Sequence, residues 1–355
     1  MAMQKKEYNI LHVFNDPKFS KGFFEFLNKH HYNLEKDFLF HYRCTDSTCH
    51  HFGMNKIFAK HFFSPIANLA MLRPLFHSKK IIIHSMASPF LLVYLYLFPR
   101  LIKKTFWVIW GKDLYFYKTL ERKHIHHEVY EFFRRRVLRK IPHIITFLDG
   151  DYELAKEWYG STAKLHKCFM YPSNLYQDSP TPIKDDDLTV ILVGNSADPS
   201  NNHLEIFSRL ESFKDENIKL ITPLSYGDEK YAKIISKEGK EIFGNKFIPI
   251  NSFIPPDEYL SLLSSVDIGL FAHKRQQAMG NITTLLGMGK KVYMRNDISS
   301  WGLFKTMGVN VYDINEFDIK QLSETEKSVN IEKIKAYFSE DELIKQWHEI
   351  VATEI

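Results

Sequence analysis

The feature that most constrains this chain is an alternation of short apolar runs with amphipathic segments, which occurs twice along the sequence. In the first half the apolar runs have the length and composition of buried strands, and they are residues 9–14, 37–42, 80–84, 105–110 and 143–148. Segments with helical spacing separate them, for example residues 21–29, 88–97 and 123–140. Short apolar strands separated by helices are typical of parallel β-α-β units. The first half therefore predicts an α/β domain.

A polar stretch without periodicity separates the two alternations. Prolines and acidic residues are frequent from residue 171 to residue 187, which indicates an interdomain linker. The second set of strand-like runs follows at residues 188–193, 218–223, 246–250, 268–272, 291–295 and 309–312. The segments with helical spacing among them are residues 202–212, 229–243, 256–264 and 282–288. The second half therefore predicts another α/β domain.

These patterns predict the domain organisation. A length of 355 residues suits two domains. We expect an N-terminal Rossmann-like domain at residues 1–180, a C-terminal Rossmann-like domain at residues 181–330 and a C-terminal helical segment at residues 331–355. Ligands of such folds bind at the carboxyl ends of the strands, so we expect a ligand cleft between the two domains. The amphipathic helix predicted at residues 341–351 could pack on either domain.

The net charge of +5 hides an asymmetry between the two halves. Residues 1–180 carry 27 Lys and Arg against 15 Asp and Glu, and the remainder carries 20 against 27. A basic first half indicates contact with a polyanion, either nucleic acid or an anionic membrane surface. The longest apolar run, residues 90–98, is too short for a spanning helix, which needs roughly twenty residues. We also expect no cleavable signal, because the polar start leads directly into the first strand.

The basic segment at residues 123–140 has two interpretations. Its apolar residues share one broad side, and they are Ile125, Val129, Phe132, Phe133, Val137 and Leu138. Such a helix can lie on anionic lipid, or it can be a surface helix packed on the core of its own domain.

Three cysteines, Cys44, Cys49 and Cys168, form a sparse and odd set. This usage favours reduced thiols in a cytoplasm over a disulfide framework. The segment from Cys44 to His51 could be a zinc site, but its spacing is irregular and no second ligand pair follows. We therefore expect a loop with reduced thiols, no metal ion and no cofactor.

Two loops of the second half have residues suited to a phosphate. Residues 190–193 lead into Gly194, Asn195 and Ser196, followed by Asp198 as a helix cap and a proline at the first helical position. Small residues and polar donors beside a helix N-terminus suit a phosphate. The alternative is an ordinary strand-to-helix turn with a good cap.

The second loop follows the strand predicted at residues 268–272. Arg275 could pair bidentately with a diphosphate, and Gln276 and Gln277 could hydrogen-bond a sugar, ahead of a helix start at Gly280 and Asn281. A solvated loop is the alternative. The remaining donor-binding candidates are Asn201, His203, Pro223, Tyr226 and Thr283.

Three residues of the first half lie where an acid or base is useful. Asp16, His84 and Asp113 each follow or end a predicted strand, where side chains face the ligand in such folds. The alternative for each is a cap or a structural hydrogen-bond partner. Asp149-Gly150-Asp151 looks like a metal-binding Asp-x-Asp pair, but it stands before a predicted helix, so Asp151 is interpreted as a helix cap.

These segments resemble those of glycosyltransferase family 56, bacterial transferases that add 4-acetamido-4,6-dideoxygalactose in the synthesis of enterobacterial common antigen. The matching elements of the first half are His12-Val13 with Asp16 after the first strand, the strand end Ile82-Ile83-His84, Ile109-Trp110-Gly111-x-Asp113-Leu114-Tyr115 and Gly150-Asp151. Those of the second half are Leu192-Val193-Gly194-Asn195-Ser196-x-Asp198-x-Ser200-Asn201-x-His203, Arg275-Gln276-Gln277-x-x-Gly280, Phe338-Ser339 and Trp347. Residues 43–79 show no clear match.

The resemblance implies a GT-B fold with two Rossmann-like domains and a metal-independent transferase. It implies a dTDP-linked deoxyamino-sugar donor held by the second domain, and a polyprenyl-diphosphate-linked oligosaccharide acceptor. It also implies peripheral attachment to the cytoplasmic face of the bacterial inner membrane, with which the basic first half agrees. The alternatives are another nucleotide sugar such as a UDP-linked one, another acceptor, or a non-catalytic sugar-nucleotide-binding protein. Nucleic acid is not expected, because no recognised RNA- or DNA-binding module is present.

Overall fold

The computed structural model describes residues 8–44, 53–119, 125–178 and 187–355. The chain divides into two compact units. The first unit comprises residues 1–173 and 340–355, and the second comprises residues 174–339. The C-terminal segment predicted at residues 331–355 is therefore divided between the two units.

The first unit contains a parallel sheet of seven strands in the order β3-β2-β1-β4-β5-β6-β7. The strands are β1 Tyr8–Phe14, β2 Phe38–Tyr42, β3 Asn55–Ala59, β4 Ser78–His84, β5 Thr105–Val108, β6 His143–Ile145 and β7 Lys164–His166. The helices are α1 Pro17–Lys29, α2 Pro65–His77, α3 Pro89–Leu97, α4 Pro99–Ile102, α5 Lys112–Thr119, α6 Ile125–Leu138 and α7 Asp149–Tyr159. The five predicted strands are confirmed, whereas β3, β7 and α2 were not predicted.

The second unit contains a parallel sheet of six strands in the order β10-β9-β8-β11-β12-β13. The strands are β8 Thr189–Val193, β9 Ile218–Pro223, β10 Phe247–Ile250, β11 Ile268–Phe271, β12 Lys291–Met294 and β13 Tyr312–Asp313. The helices are α8 His203–Leu210, α9 Glu229–Phe243, α10 Pro256–Ser265, α11 Met279–Gly287, α12 Ser299–Met307 and α13 Glu324–Tyr337. All six predicted strands are confirmed; β9 has the predicted bounds, and the other five differ from the prediction at one or both ends.

The strand order identifies one point in each sheet where the direction of strand addition reverses. Both sheets are built outward from their first strand in one direction and then in the other, so the order reverses between β1 and β4 and between β8 and β11. In open α/β sheets the connections after two such strands diverge to opposite faces, and this leaves a crevice at their carboxyl ends where ligands bind. We therefore expect a ligand site among the side chains that follow β1 and β4 or β8 and β11.

The closing helix, α14 Glu340–Ala352, packs on the first unit, whereas the sequence left open on which domain it would pack. Its Trp347 ring is buried and stacks on His12, with ring centroids 6.0 Å apart. Gln346 accepts a hydrogen bond of 3.1 Å from the backbone N–H of Phe169. The Lys80 ammonium donates to the carbonyl oxygens of Ile350 and Val351 at the end of the helix, where a cation offsets the helix dipole.

The cysteines correct one prediction. Cys168 is free and buried, and burial raises the pKa of its thiol to about 12. Cys44 is disulfide-bonded, so the prediction of reduced thiols is wrong at this position. Cys49, His50 and His51 lie outside the described residues. Within the described ranges the structure contains no group of three or more His, Cys, Asp or Glu that could hold a metal ion, and none of the helices described is long and apolar enough to cross a bilayer.

Candidate functional site

The loop after β8 is tightly built around Gly194. The backbone there has a φ of +65°, and a Cβ atom on Gly194 would lie 2.7 Å from Asn201 Oδ1 and 2.8 Å from His203 Nε2. A non-glycine residue at this position would be strained and would overlap two side chains. Gly194 is therefore required because it makes room for Asn201 and His203.

Asn201 is the centre of the hydrogen bonding in this loop. It is fully buried, and its Oδ1 accepts from the backbone N–H of Asn195 at 2.9 Å and from His273 Nε2 at 2.9 Å. Its amide nitrogen donates to Ser196 Oγ at 3.1 Å and to the carbonyl oxygen of Asp198 at 2.9 Å. His273 follows β11, so Asn201 joins the loops after β8 and β11. An amide oxygen only accepts, which assigns the ring proton of His273 to Nε2.

Two buried histidines stand behind these loops. Burial lowers the pKa of His203 to about 4. Burial, followed by the charge of Arg275 and by His203, lowers the pKa of His273 to about 3. Both imidazoles are therefore neutral near pH 7. His203 Nε2 and His273 Nδ1 are buried nitrogen atoms without a protein hydrogen-bond partner.

A second set of contacts ties the loop after β11 to the loop after β8. The Arg275 guanidinium is half-buried, with Nη2 3.4 Å from Ser200 Oγ and Nη1 donating to the carbonyl oxygen of Gln276 at 3.1 Å. Ser200 Oγ lies 2.7 Å from Gln277 Oε1, and Gln277 Nε2 lies 3.4 Å from Asn195 Oδ1. The structure therefore brings both predicted loops to the reversal point between β8 and β11.

The Asp198 cap is confirmed, with a difference in the helix that follows it. Its side chain accepts from the backbone N–H of Ser200 at 2.9 Å, capping a short 3-10 turn at Pro199–Asn201. Asn202 then adopts a left-handed conformation, with a φ of +52°, and α8 begins at His203. The helix expected to begin at Pro199 is therefore a short 3-10 turn, and the predicted helix 202–212 corresponds to α8 His203–Leu210.

Helix α11 begins beside Arg275. Ala278 has a φ of +59°, and the helix starts at Met279, so Gly280, Asn281 and Thr283 lie within its first five residues. The Asn281 amide donates to the Tyr259 hydroxyl at 2.7 Å, and the Thr283 hydroxyl donates to the carbonyl oxygen of Met279 at 2.8 Å. The backbone N–H groups of a first helical turn have no partner within the helix and carry partial positive charge. This end of α11 and Arg275 together favour an anion.

Tyr226 completes the group, whereas Pro223 contributes only backbone. The Tyr226 side chain is half-exposed, and its hydroxyl accepts from the Asn195 amide at 2.9 Å. Its carbonyl oxygen accepts from the N–H of Ala197 at 2.8 Å. Pro223 ends β9 and pairs with Ile250 of β10. His273 and Ser200 were not among the predicted site residues, although both lie in the two loops selected from the sequence and Ser200 belongs to the motif that carries the family resemblance.

In the first unit, Asp113 is a structural carboxylate. It is buried, and it accepts from the Trp107 indole N–H at 2.7 Å and from the backbone N–H groups of Met86 and Trp110 at 3.0 and 2.9 Å. These donors come from the ends of β4 and β5 and from the loop before α5. Asp113 therefore holds the carboxyl ends of two neighbouring strands in place.

His84 is also engaged by the protein. It is fully buried, its Nδ1 lies 2.6 Å from the Tyr171 hydroxyl, and its Nε2 lies 3.2 Å from His12 Nδ1. Burial, followed by His12 and His41, holds the pKa of His84 well below its ordinary value. The Tyr171 hydroxyl in turn accepts from the Trp110 indole N–H at 2.7 Å. His84 is therefore a neutral group that positions Tyr171 and Trp110.

Asp16 is the candidate of the first unit that stands at the surface of the reversal point. It lies between β1 and α1, and it is half-buried. The preceding Asn15 is buried and donates to the carbonyl oxygens of His84 and Ser85, which fixes this connection to the end of β4. Among the three predicted catalytic residues, Asp16 alone is accessible.

The Asp149-Gly150-Asp151 segment forms the first turn of α7. The N-cap position is Leu148, and Asp151 is the third residue of the helix and is buried. The predicted helix is confirmed, but the assignment of Asp151 as its cap is wrong.

Comparison with known proteins gives one family and many similar folds. A family model described as 4-alpha-L-fucosyltransferase, glycosyl transferase group 56, matches residues 10–354. A glycosyltransferase from Rickettsia africae ESF-5 is similar at 13% identity, with a TM-score of 0.63 over 97% of this chain and 98% of that chain. Anabaena HepE, solved in complex with UDP and glucose, is similar at 12% identity, with a TM-score of 0.68 over 98% and 100%.

A third similar structure is WaaG, a glycosyltransferase involved in lipopolysaccharide biosynthesis, at 11% identity and a TM-score of 0.59 over 96% of this chain and 98% of that chain. Likenesses at such identities carry information about the fold. They confirm the predicted GT-B fold, in agreement with the two parallel sheets of seven and six strands.

Proposed function

The chain belongs to glycosyltransferase family 56 and is a glycosyltransferase, and we propose that it moves a deoxyamino sugar from a dTDP-sugar to a polyprenyl-diphosphate-linked oligosaccharide. The sugar proposed is of the 4-acetamido-4,6-dideoxygalactose type. The protein would work at the cytoplasmic face of a bacterial inner membrane, attached peripherally through its basic first half, in the synthesis of a surface polysaccharide. A UDP-linked donor on the same site is the alternative.

The observation that carries this proposal is the joining of two phosphate-competent loops at the reversal point between β8 and β11. Arg275 and the start of α11 supply positive charge, and Asn201 fixes the loops relative to each other. When the bond between the anomeric carbon of the donor sugar and the diphosphate oxygen breaks, negative charge grows on the diphosphate. Donors already aligned with that charge stabilise the transition state without reorganisation. Arg275 and the first turn of α11 are therefore proposed to hold the leaving diphosphate, with no metal ion.

The polar side chains around this point suit a sugar. Gln276 Oε1 is buried without a protein hydrogen-bond partner, so a ligand N–H or hydroxyl could donate to it. Asn195 and Gln277 lie in the same pair of loops, and the half-exposed Tyr226, in the loop after β9, accepts a hydrogen bond from Asn195. The presence of UDP and glucose in the HepE structure supports a nucleoside-diphosphate sugar as the ligand class.

The acceptor would be activated from the first unit. Asp16 is proposed as the general base because it is the accessible carboxylate at the reversal point of that sheet. Its carboxylate would take the proton of the acceptor hydroxyl as that oxygen bonds to the anomeric carbon. The bond from that carbon to the diphosphate oxygen breaks, and dTDP leaves. Asp113 and His84 act as positioning residues, since protein groups occupy their polar atoms.

The donor site is tested by measuring the dTDP affinity of two variants with substitutions at adjacent positions. Arg275→Ala removes the half-buried guanidinium, whereas Lys274→Ala removes an exposed cation one residue away and serves as the control. We expect Arg275→Ala to weaken dTDP binding roughly 10- to 100-fold, the loss typical of a charge-assisted hydrogen bond pair. Lys274→Ala should change it less than about threefold. Equal affinities in calorimetric titrations of the two variants would remove this assignment.

A further inference from the structure

The solvent face of α2 is apolar. Ile66, Leu69 and Phe76 are 86%, 66% and 47% exposed, and Arg73 stands between them. Their spacing of three, seven and ten residues from Ile66 places all four on one side of the helix. The opposite side is buried through Met71 and Leu75. A surface helix of a globular protein normally carries polar residues where α2 carries these, so this face needs a partner.

The same surface continues onto α3 and α6. Phe76 contacts Phe98 at the end of α3, with ring centroids 5.1 Å apart, and Tyr96 of α3 contacts Phe132 of α6 at 6.1 Å. Helix α6 adds Ile125 and Val129, which are 83% and 51% exposed. Part of the apolar side predicted for α6 therefore faces solvent, while Val137 and Leu138 are buried in the core. We call this surface the apolar helix face; it is defined by Ile66, Leu69, Phe76, Tyr96, Phe98 and Phe132.

The exposed charge around the apolar helix face is mostly positive, and Glu128 of α6 is an exposed carboxylate three residues from Ile125 and four from Phe132. Residues 47–112 contain nine Lys and Arg and no Asp or Glu. Arg73 lies within the face, Arg100 and Lys103 are exposed just beyond α3, and the Arg136 guanidinium lies 3.5 Å from the centroid of the Phe132 ring. An apolar surface with cations at its rim matches an anionic lipid leaflet, which offers hydrocarbon below and negative headgroups above. A second copy of this face would bring cations against cations.

We propose that the apolar helix face inserts into the interfacial layer of an anionic membrane leaflet, with α2 as the principal anchor. The inference rests on the proposed function in one respect, since a lipid-linked acceptor requires the protein to work at a bilayer. It goes beyond attachment by charge. Ile66 and Leu69 enter the acyl boundary, whereas Arg73, Arg100 and Arg136 contact headgroups. Binding therefore has a part that salt does not remove, because apolar burial is not screened.

Flotation of the full-length protein with lipid vesicles tests the proposal. The vesicles contain phosphatidylcholine alone or with about 30% phosphatidylglycerol, and the buffers contain about 0.1 or 0.5 M KCl. The test variant is Ile66→Asp/Leu69→Asp, which changes two exposed residues. The matched control is Ile234→Asp/Phe253→Asp, which changes two exposed apolar residues of the second unit. Ile66→Trp/Leu69→Trp keeps apolar bulk at the same positions.

We expect the wild-type protein to float with anionic vesicles and to retain a measurable fraction at high salt. The Asp pair in α2 should weaken vesicle binding by roughly tenfold or more, whereas the control pair and the Trp pair should not. Three results would overturn the proposal: no binding to anionic vesicles, equal binding by the α2 Asp pair, or a concentration-dependent dimer that this pair dissolves. Titration of the same variants with dTDP keeps the two claims separate, because the α2 Asp pair should bind nucleotide as the wild-type protein does.

Discussion

Replacing Asn201 by alanine tests whether one amide joins the two donor loops. The change deletes all four hydrogen bonds of the side chain. The carbonyl oxygen of Asp198 keeps a donor in the backbone N–H at position 201. The Nε2–H of buried His273 loses its acceptor, and so does the N–H of Asn195.

The expected magnitude follows from those two groups. Leaving a buried donor unpaired costs about 1–3 kcal/mol, and a half-buried one costs less. We therefore expect the free energy of unfolding of the second unit to fall by about 2–4 kcal/mol. For a unit of this size, that loss lowers the melting temperature by roughly 5–15 °C. Because both loops lose their alignment, the affinity for dTDP should also fall by about tenfold or more.

The assay is scanning calorimetry with and without dTDP, and Asn251→Ala is the control. Asn251 is an exposed asparagine of the same unit, and its hydrogen bond with Ser236 is 3.5 Å long. Its replacement should change the free energy of unfolding by less than about 0.5 kcal/mol. If Asn201→Ala and Asn251→Ala have the same stability and the same dTDP affinity, Asn201 does not hold the loops after β8 and β11 together.

Three further predictions follow from the same contacts. Gly194→Ala should lower the free energy of unfolding by about 2–4 kcal/mol, because residue 194 has a positive φ and the added Cβ would lie less than 3.0 Å from two side chains. The control is Gly302→Ala in α12, where nothing lies within 4 Å of the added Cβ, and this change should be neutral or stabilising. Equal effects of the two substitutions in denaturant unfolding would contradict the prediction. The pKa values of His203 and His273, about 4 and about 3, lie below the unfolded value near 6.5, so their contribution to stability is complete above about pH 6.5 and is lost as the pH falls toward 4. His203→Gln should remove about one proton from the pH dependence of unfolding between pH 5 and 6, and an unchanged slope would refute the assignment. Asp16→Asn should lower the transfer rate by about 10²- to 10⁴-fold with unchanged dTDP affinity, and full activity would exclude Asp16 as the base.

The fold was predictable because its strands are buried on both sides. Segments such as Ile81–Ile83 and Val190–Val193 are continuous apolar runs, which is what a central parallel strand requires. Strand β3 was missed because Asn55–Ala59 lies at the edge of the sheet and is half-buried along most of its length. Helix α2 was missed for a different reason: apolar residues on its exposed side remove the period that identifies an amphipathic helix.

The candidate site was predictable only in part. Loops that follow strands could be selected from polar and small residues, so Gly194, Asn195 and Arg275 stand where expected. The role of Asn201 could not be found, because its partner His273 is 72 positions away and is brought close only by the pairing of β8 with β11. Likewise, Asp113 and His84 follow strands as a catalytic group does, but the sequence does not show that protein donors already occupy them.

Sugar transfer itself is the most direct test of the central claim. The purified protein would be incubated with dTDP-4-acetamido-4,6-dideoxygalactose and a polyprenyl-diphosphate-linked oligosaccharide, and the lipid product and released dTDP would be measured by mass spectrometry. We expect a product heavier by one deoxyamino sugar, dTDP release that depends on the acceptor, and loss of both with Arg275→Ala. Donor binding without acceptor-dependent product, or equal turnover by Arg275→Ala, would contradict this expectation.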